Sequence, residues 1–366
     1  MECYGAADPM NCPAPGEAFY GQDAQHQGPA LRYEDNGDGT VTDVVTGLTW
    51  TKAPGARMTW EEARAQAGTL RLGGQTDWRL PSIQELYSLM DFRGYFGPSA
   101  AESIPFIDTS AFELRYAPDT GTLPGQRFFD VQAWSSTPYV GRIMHGDAAV
   151  FGVNFADGRI KGYPLLQPGP PGSPPGSPAT MFARFVRGNP SYGAVSYSAG
   201  AEGTVGDEVH GLIWQRADDG VRRTWAEALA YCEGLTLGGW DDWRLPGAKE
   251  LQSLVDYSRA PSITGTAAID PTFSVSSVES YFWSSTTLLD GPPEHRAARA
   301  VYLAFGRALG WMEEPPGSGN WTLLDVHGAG AQRADPKEGD PSDYPHGFGP
   351  QGDDVRILNY VRCVRS

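Results

Sequence analysis

The chain has 366 residues, of which 40% are hydrophobic and 20% charged, with a formal net charge of −16. So acidic a surface argues against nucleic acid and other polyanions as partners, and no apolar run approaches the roughly 18 residues of a membrane span. With 46 Gly, 30 Pro, 11 Trp, 16 Tyr and 15 Phe, the composition predicts a loop-rich protein with aromatic cores.

Residues 1–30 read as an extended N-terminal arm, rich in Gly, Pro, Gln and Ala and without helical period. Cys3 and Cys12 stand close enough to close a small loop, and Tyr4, Phe19 and Tyr20 are the bulky groups the arm offers to a partner surface. Met1-Glu2-Cys3-Tyr4 lacks the basic-then-apolar pattern of a secretory leader. Either the chain is cytosolic or a leader has been removed, and the cysteines bear on that choice.

Asn36-Gly37-Asp38-Gly39 predicts a tight hairpin. Its clustered oxygen side chains also suggest calcium, but the closing glutamate and flanking helices of a helix-loop-helix site are missing. The turn reading is preferred, with calcium the one cofactor considered. Thr59 and Glu62 form a capping-box pattern at the start of a first helix ending near Gly68. A Trp78-Arg79-Leu80-Pro81 strand end follows. A second helix then starts at Ser82 or Ile83, with Leu86, Leu89 and Met90 on one face. Strands are expected at 133–137, 149–155 and 183–187, with a Pro-Gly-Ser loop between Pro164 and Pro178.

The whole pattern then recurs. Asp77-Trp78-Arg79-Leu80-Pro81 returns as Asp242-Trp243-Arg244-Leu245-Pro246, an offset of 165 residues. Thr224 and Glu227 repeat the capping box, Glu250 repeats Glu85, and Trp283-Ser284-Ser285-Thr286 repeats Trp134-Ser135-Ser136-Thr137. The chain is therefore a tandem duplication, with a first domain at 31–190 and a second at 191–366. In the second copy the segment from about Glu313 to Asp354 reads as a long irregular surface insert, and it contains Asn320-Trp321-Thr322, an N-glycosylation-type sequon.

Comparing the copies pairs the other two cysteines. Cys232 stands where the first copy has Ala67, and Cys363 where it has Phe185, so both are present in one copy and absent from the other. A Cys232–Cys363 disulfide explains that joint change. Two bridges point to an oxidising compartment, outside the cell or on its surface, with any leader removed.

No catalytic set emerges. The six histidines do not recur between copies, and no pair has metal-ligand spacing. The repeated Trp-Ser-Ser-Thr has no recurring histidine to activate a hydroxyl. In the repeated Trp-Arg-Leu-Pro motif, Trp78 and Trp243 read as core, and Arg79 and Arg244 as ion-paired to Glu85 and Glu250.

In order and twice over, Asp-Asn-Gly-Asp-Gly-Thr-Val-Thr-Asp (35–43), Thr-Gly-Leu-Thr-Trp (46–50), Asp-Trp-Arg-Leu-Pro (77–81), Glu-Leu (85–86), Trp-Ser-Ser-Thr (134–137) and Val-Arg-Cys-Val-Arg (361–365) resemble the DUF1566, or Lcl C-terminal domain, family. That resemblance implies an α+β, C-type-lectin-like fold in each copy, with two helices and a twisted antiparallel sheet. It also implies secretion and attachment roles without established catalytic residues. The expectation is a secreted, non-enzymatic structural or adhesive subunit whose partner is itself, assembling head-to-tail into a filament by insertion of the arm into the next subunit. The alternative is an extracellular carbohydrate-binding adhesin module with glycans as partners.

Overall fold

The computed structural model describes residues 2–26, 28–116, 127–167, 176–200, 202–314, 317–349 and 352–366. The chain forms two compact units. One comprises Gly28–Pro138 and Asp147–Gly193; the other comprises the N-terminal arm, Tyr139–Gly146 and Ala194–Ser366. Each holds one repeat, of mixed α+β build.

Each repeat opens with a small antiparallel sheet. In the first, Tyr33–Asp35 pairs with Thr40–Asp43, which pairs with Leu48–Thr51, and the late strand Val186–Arg187 returns beside the third. In the second, Tyr197–Ala199, Thr204–Asp207, Leu212–Gln215 and Val364–Arg365 have the same order. The first hairpin turns as its sequence predicts. Gly37 (φ 74°) and Gly39 (φ 87°) occupy the left-handed region. The Asp35 and Asp38 carboxylates accept the Gly37 and Thr40 backbone N–H groups.

Both capping boxes form. Thr59 and Glu62 cap Trp60–Thr69, and Thr224 and Glu227 cap Trp225–Glu233. The second helices are single short turns, Ile83–Ser88 and Ala248–Ser253. Helices and sheets enclose an aromatic core cluster in each repeat. Trp78, Trp134, Met181 and Phe185 lie in the first, and Trp225, Trp243, Trp283 and Tyr302 in the second.

Three expectations need correction. Trp-Arg-Leu-Pro is not a strand end: Arg79 and Arg244 each make one isolated bridge, to Val186 and Val364. The prolines that follow have no N–H with which to extend a ladder. The final strands are two residues long, shorter than expected. The insert after Glu313 is not irregular throughout. Trp321–Asp325 forms a hairpin with Leu309–Glu313, and Gln332–Pro336 is a fully buried strand paired with Arg299–Ala304. That strand takes the place held in the first repeat by Arg159–Pro164, which pairs with Ala149–Asn154. The Pro-Gly-Ser loop has a stem, Leu166–Gln167 paired with Ser177–Pro178, and its residues 168–175 lie outside the described residues.

Candidate functional site

The arm is folded, not loose. Cys3–Tyr4 pairs with Pro9–Met10, and the Cys3–Cys12 disulfide closes this clip. The buried Gln22 side chain accepts from Tyr4 N–H and donates to the Tyr4 and Phe19 carbonyls, locking the two ends of the arm together. Gln25 adds bonds from Gly21 N–H and to the Pro13 carbonyl. An irregular peptide of this length holds a shape because its polar side chains replace the missing ladder.

The clip docks on the second repeat, not on the repeat that follows it in sequence. Phe19 (φ 67°) and Gly21 (φ 97°) turn the chain over Trp225. Their ring centroids, Phe19 to Trp225, are 6.1 Å apart. A Cβ on Gly21 would lie 2.6 Å from the Glu233 carboxylate, so the close approach requires glycine. Three hydrogen bonds to the arm's backbone fix the register: the Lys337 side chain donates from Nζ to the Gly5 carbonyl at 2.9 Å, Ala297 N–H donates to the Ala7 carbonyl, and Asp23 N–H donates to the Ser285 carbonyl. His26 pairs with Glu233 at 2.9 Å. The Lys337 ammonium also sits 4.2 Å from the Trp225 ring and 5.7 Å from Tyr4.

Two ionisable groups are enclosed in this contact. Burial pushes Asp23 up to about 6, against a hydrogen bond with Thr286. Burial pushes Lys337 down to about 7, against the nearby Asp23 charge. Of the arm residues singled out from sequence, Tyr4 and Phe19 meet the receptor. Tyr20 packs within the arm on His26, their centroids 6.2 Å apart.

The repeated motif residues are engaged in structure. Arg79 makes a two-pronged pair with Glu85, and Arg244 with Glu250. The motif aspartates Asp77 and Asp242 pair with Arg187 and Arg365 of the final strands. The indole N–H groups of Trp78, Trp243, Trp134 and Trp283 donate to the Leu72, Leu237, Met58 and Arg223 carbonyls. Cys232 and Cys363 are bonded to each other, as the comparison of copies predicts. In the first repeat Ala67 and Phe185 fill the same place in the core.

Sequence reasoning missed a buried polar cluster in the second repeat. Asp353 accepts from His327 at 2.6 Å and from Arg333. Burial opposes the charged carboxylate, yet Arg333 and His327 hold it well below the usual carboxylate range. These residues occur in one copy and stand far apart in sequence, so no spacing signal announces them. Among the described residues, no group of three His, Cys, Asp or Glu is placed to hold a metal, and no helix is long and apolar enough to cross a membrane. Asn320 is exposed in the turn before Trp321, and Trp321 stacks on His346 with centroids 4.1 Å apart. A cavity of about 390 Å³ in the first repeat is lined by Glu113, Arg115, Tyr116, Phe182 and Arg184. Arg184 there donates to the Thr51, Lys52 and Glu113 carbonyls.

These features define a tandem α+β repeat protein with a disulfide-clipped terminal arm seated on one repeat. The family model of the Lcl C-terminal domain matches residues 39–168 and 203–317, one segment per repeat. The chain belongs to the Lcl C-terminal domain family. No curated protein matches it significantly.

Proposed function

We propose that the chain is a secreted, non-enzymatic structural subunit that associates with copies of itself, the arm of one subunit docking on the second repeat of the next. The observation that carries this is the seating of residues 2–26 on a receptor built from Trp225, Glu233, Ser285, Ala297 and Lys337. A terminal element whose receptor lies more than 200 residues along the chain can be supplied by a neighbour as well as by its own chain. Exchanging it keeps every contact and needs no new surface. An arm that docks on a different patch of its neighbour makes the contact heterologous, and a heterologous contact that does not close extends into a filament. The arm engages its receptor by single main-chain bonds and an aromatic anchor, so arm docking, in place of addition of a long strand, is the mode this geometry favours. The two disulfides fit an extracellular or cell-surface setting.

Removing residues 2–26 tests this reading. Full-length protein should form filaments or higher oligomers by electron microscopy and sizing at high concentration, and the truncated protein should stay monomeric while folded. Assembly unchanged by the truncation would contradict it.

A second reading, a glycan-binding adhesin module on a C-type-lectin-like fold, draws on Trp321. This exposed indole, stacked on His346, offers a flat apolar surface of the kind sugar rings pack against. Glycan-array binding that Trp321→Ala abolishes would favour this reading, and a blank array with and without calcium would count against it.

A further inference from the structure

The groove that receives the arm exists twice. Its floor in the second repeat is Trp225, whose indole N–H donates to the Ser284 carbonyl at 2.8 Å; in the first repeat Trp60 donates to Ser135 at 2.9 Å. Its wall is a bulged strand whose ladder register shifts after Trp283 and, in the first repeat, after Trp134. Ser285 N–H bonds the Pro246 carbonyl as Ser136 N–H bonds Pro81. Thr286 accepts from Ala248 N–H as Thr137 does from Ile83. The far rim is Lys337, whose N–H bonds Ala298, and Leu165, whose N–H bonds Ala148.

The two grooves differ in cover. Under the arm, Trp225, Ser285 and Thr286 are 0%, 1% and 2% exposed. Trp60 and Thr137 are half-buried and Ser136 is exposed. The Trp60 ring is met by Arg64 at 4.7 Å, a side chain itself 54% exposed and held by a 3.4 Å pair with Glu61.

We propose that the Trp60 groove is a second acceptor for the N-terminal arm, filled by the arm of another copy of this chain. This deepens the self-association reading and rests on it. The arm is the peptide that the matching groove holds, and charge points the same way. Residues 2–26 carry four acids, Glu2, Asp8, Glu17 and Asp23, and no Lys or Arg, and Arg64 over the floor of the groove would exchange its exposed Glu61 partner for one of them. The fit is weaker than at Trp225. Leu165 replaces the Lys337 ammonium that bonds Gly5, and Gly68 replaces the Glu233 partner of His26. A subunit whose second repeat is filled therefore still offers its first repeat to the free arm of another copy.

A labelled synthetic peptide of residues 2–26, with its disulfide closed, tests this by fluorescence anisotropy against the full chain. One equivalent should bind. Trp60→Ala and Arg64→Glu should each weaken binding at least tenfold. Arg64 is exposed enough that its variant keeps the fold, to be checked by circular dichroism. Binding retained in full by the Trp60 and Arg64 variants would overturn the second acceptor while leaving arm exchange at Trp225 standing. Absence of peptide binding by the full chain would overturn it too, and sizing of the full chain would then judge self-association separately.

Discussion

Arg244 and Glu250 show what the duplication makes readable in single residues. Each is ordinary alone, but the same Arg and Glu six residues apart in both copies predict an ion pair, and both pairs form. A residue that differs alone between the copies, with no second change to pair it with, gave no such signal. Asp207 holds the first turn of its hairpin as Asp43 does, accepting from the next backbone N–H groups. Where the first repeat has Thr46, the second has His210, whose ring bonds Asp207 at 2.8 Å. The bond to Asp207 raises the pKa of His210, with burial opposing. Burial works against the Asp207 carboxylate, but the His210 bond and charge hold it below its ordinary value. The histidine's contribution is fully present below its unfolded value of about 6.5 and is lost as pH rises through the raised folded value. The aspartate's contribution is lost as pH falls through its lowered value. Denaturant titrations should therefore show wild type exceeding His210→Gln by more at pH 5.5 than at pH 8.5. An equal difference at both would mean the pair does not contribute as a charged pair.

At the scale of elements, helices with capping boxes were legible and one central strand was not. Thr59-Glu62 and Thr224-Glu227 are local devices, complete within four residues. Gln332–Pro336 has no alternating apolar pattern, because its buried side chains are polar and take their partners inside the domain. Arg333 is paired with Asp353, and Asp335 accepts from Arg356 N–H, Ile357 N–H and Asn359. The hairpin ahead of it displaced it from the position its counterpart holds, which hid the correspondence. The disulfide ties the helix Trp225–Glu233 to the segment before the last strand. Replacing Cys232 and Cys363 by Ala should cost about 2–5 kcal/mol of stability. The pair Cys232→Ala with Cys363→Phe, copied from Ala67 and Phe185, should recover part of that loss by refilling the core. Unfolding free energies with the slope fitted for each variant would check this, and no recovery would mean that the two cores are shaped differently.

For the whole molecule, the sequence made the two repeats plain and left the arm's destination open. Repetition is visible at any distance along a chain, whereas an irregular peptide carries no periodicity to say what it rests on. The structure supplies the missing partner: Phe19 over Trp225, Gly21 against Glu233 and Gly5 on Lys337. The central claim is that this seat is filled between subunits. Cross-linking two differently tagged chains tests it most directly. One carries His26→Cys and the other Glu233→Cys, replacing a pair 27% and 21% exposed and 2.9 Å apart. The chains are co-assembled and treated with a short thiol-specific linker. The account predicts a two-chain product joined through residues 26 and 233. No two-chain product from the mixture, while a separate control chain carrying both substitutions cross-links within itself, would contradict it.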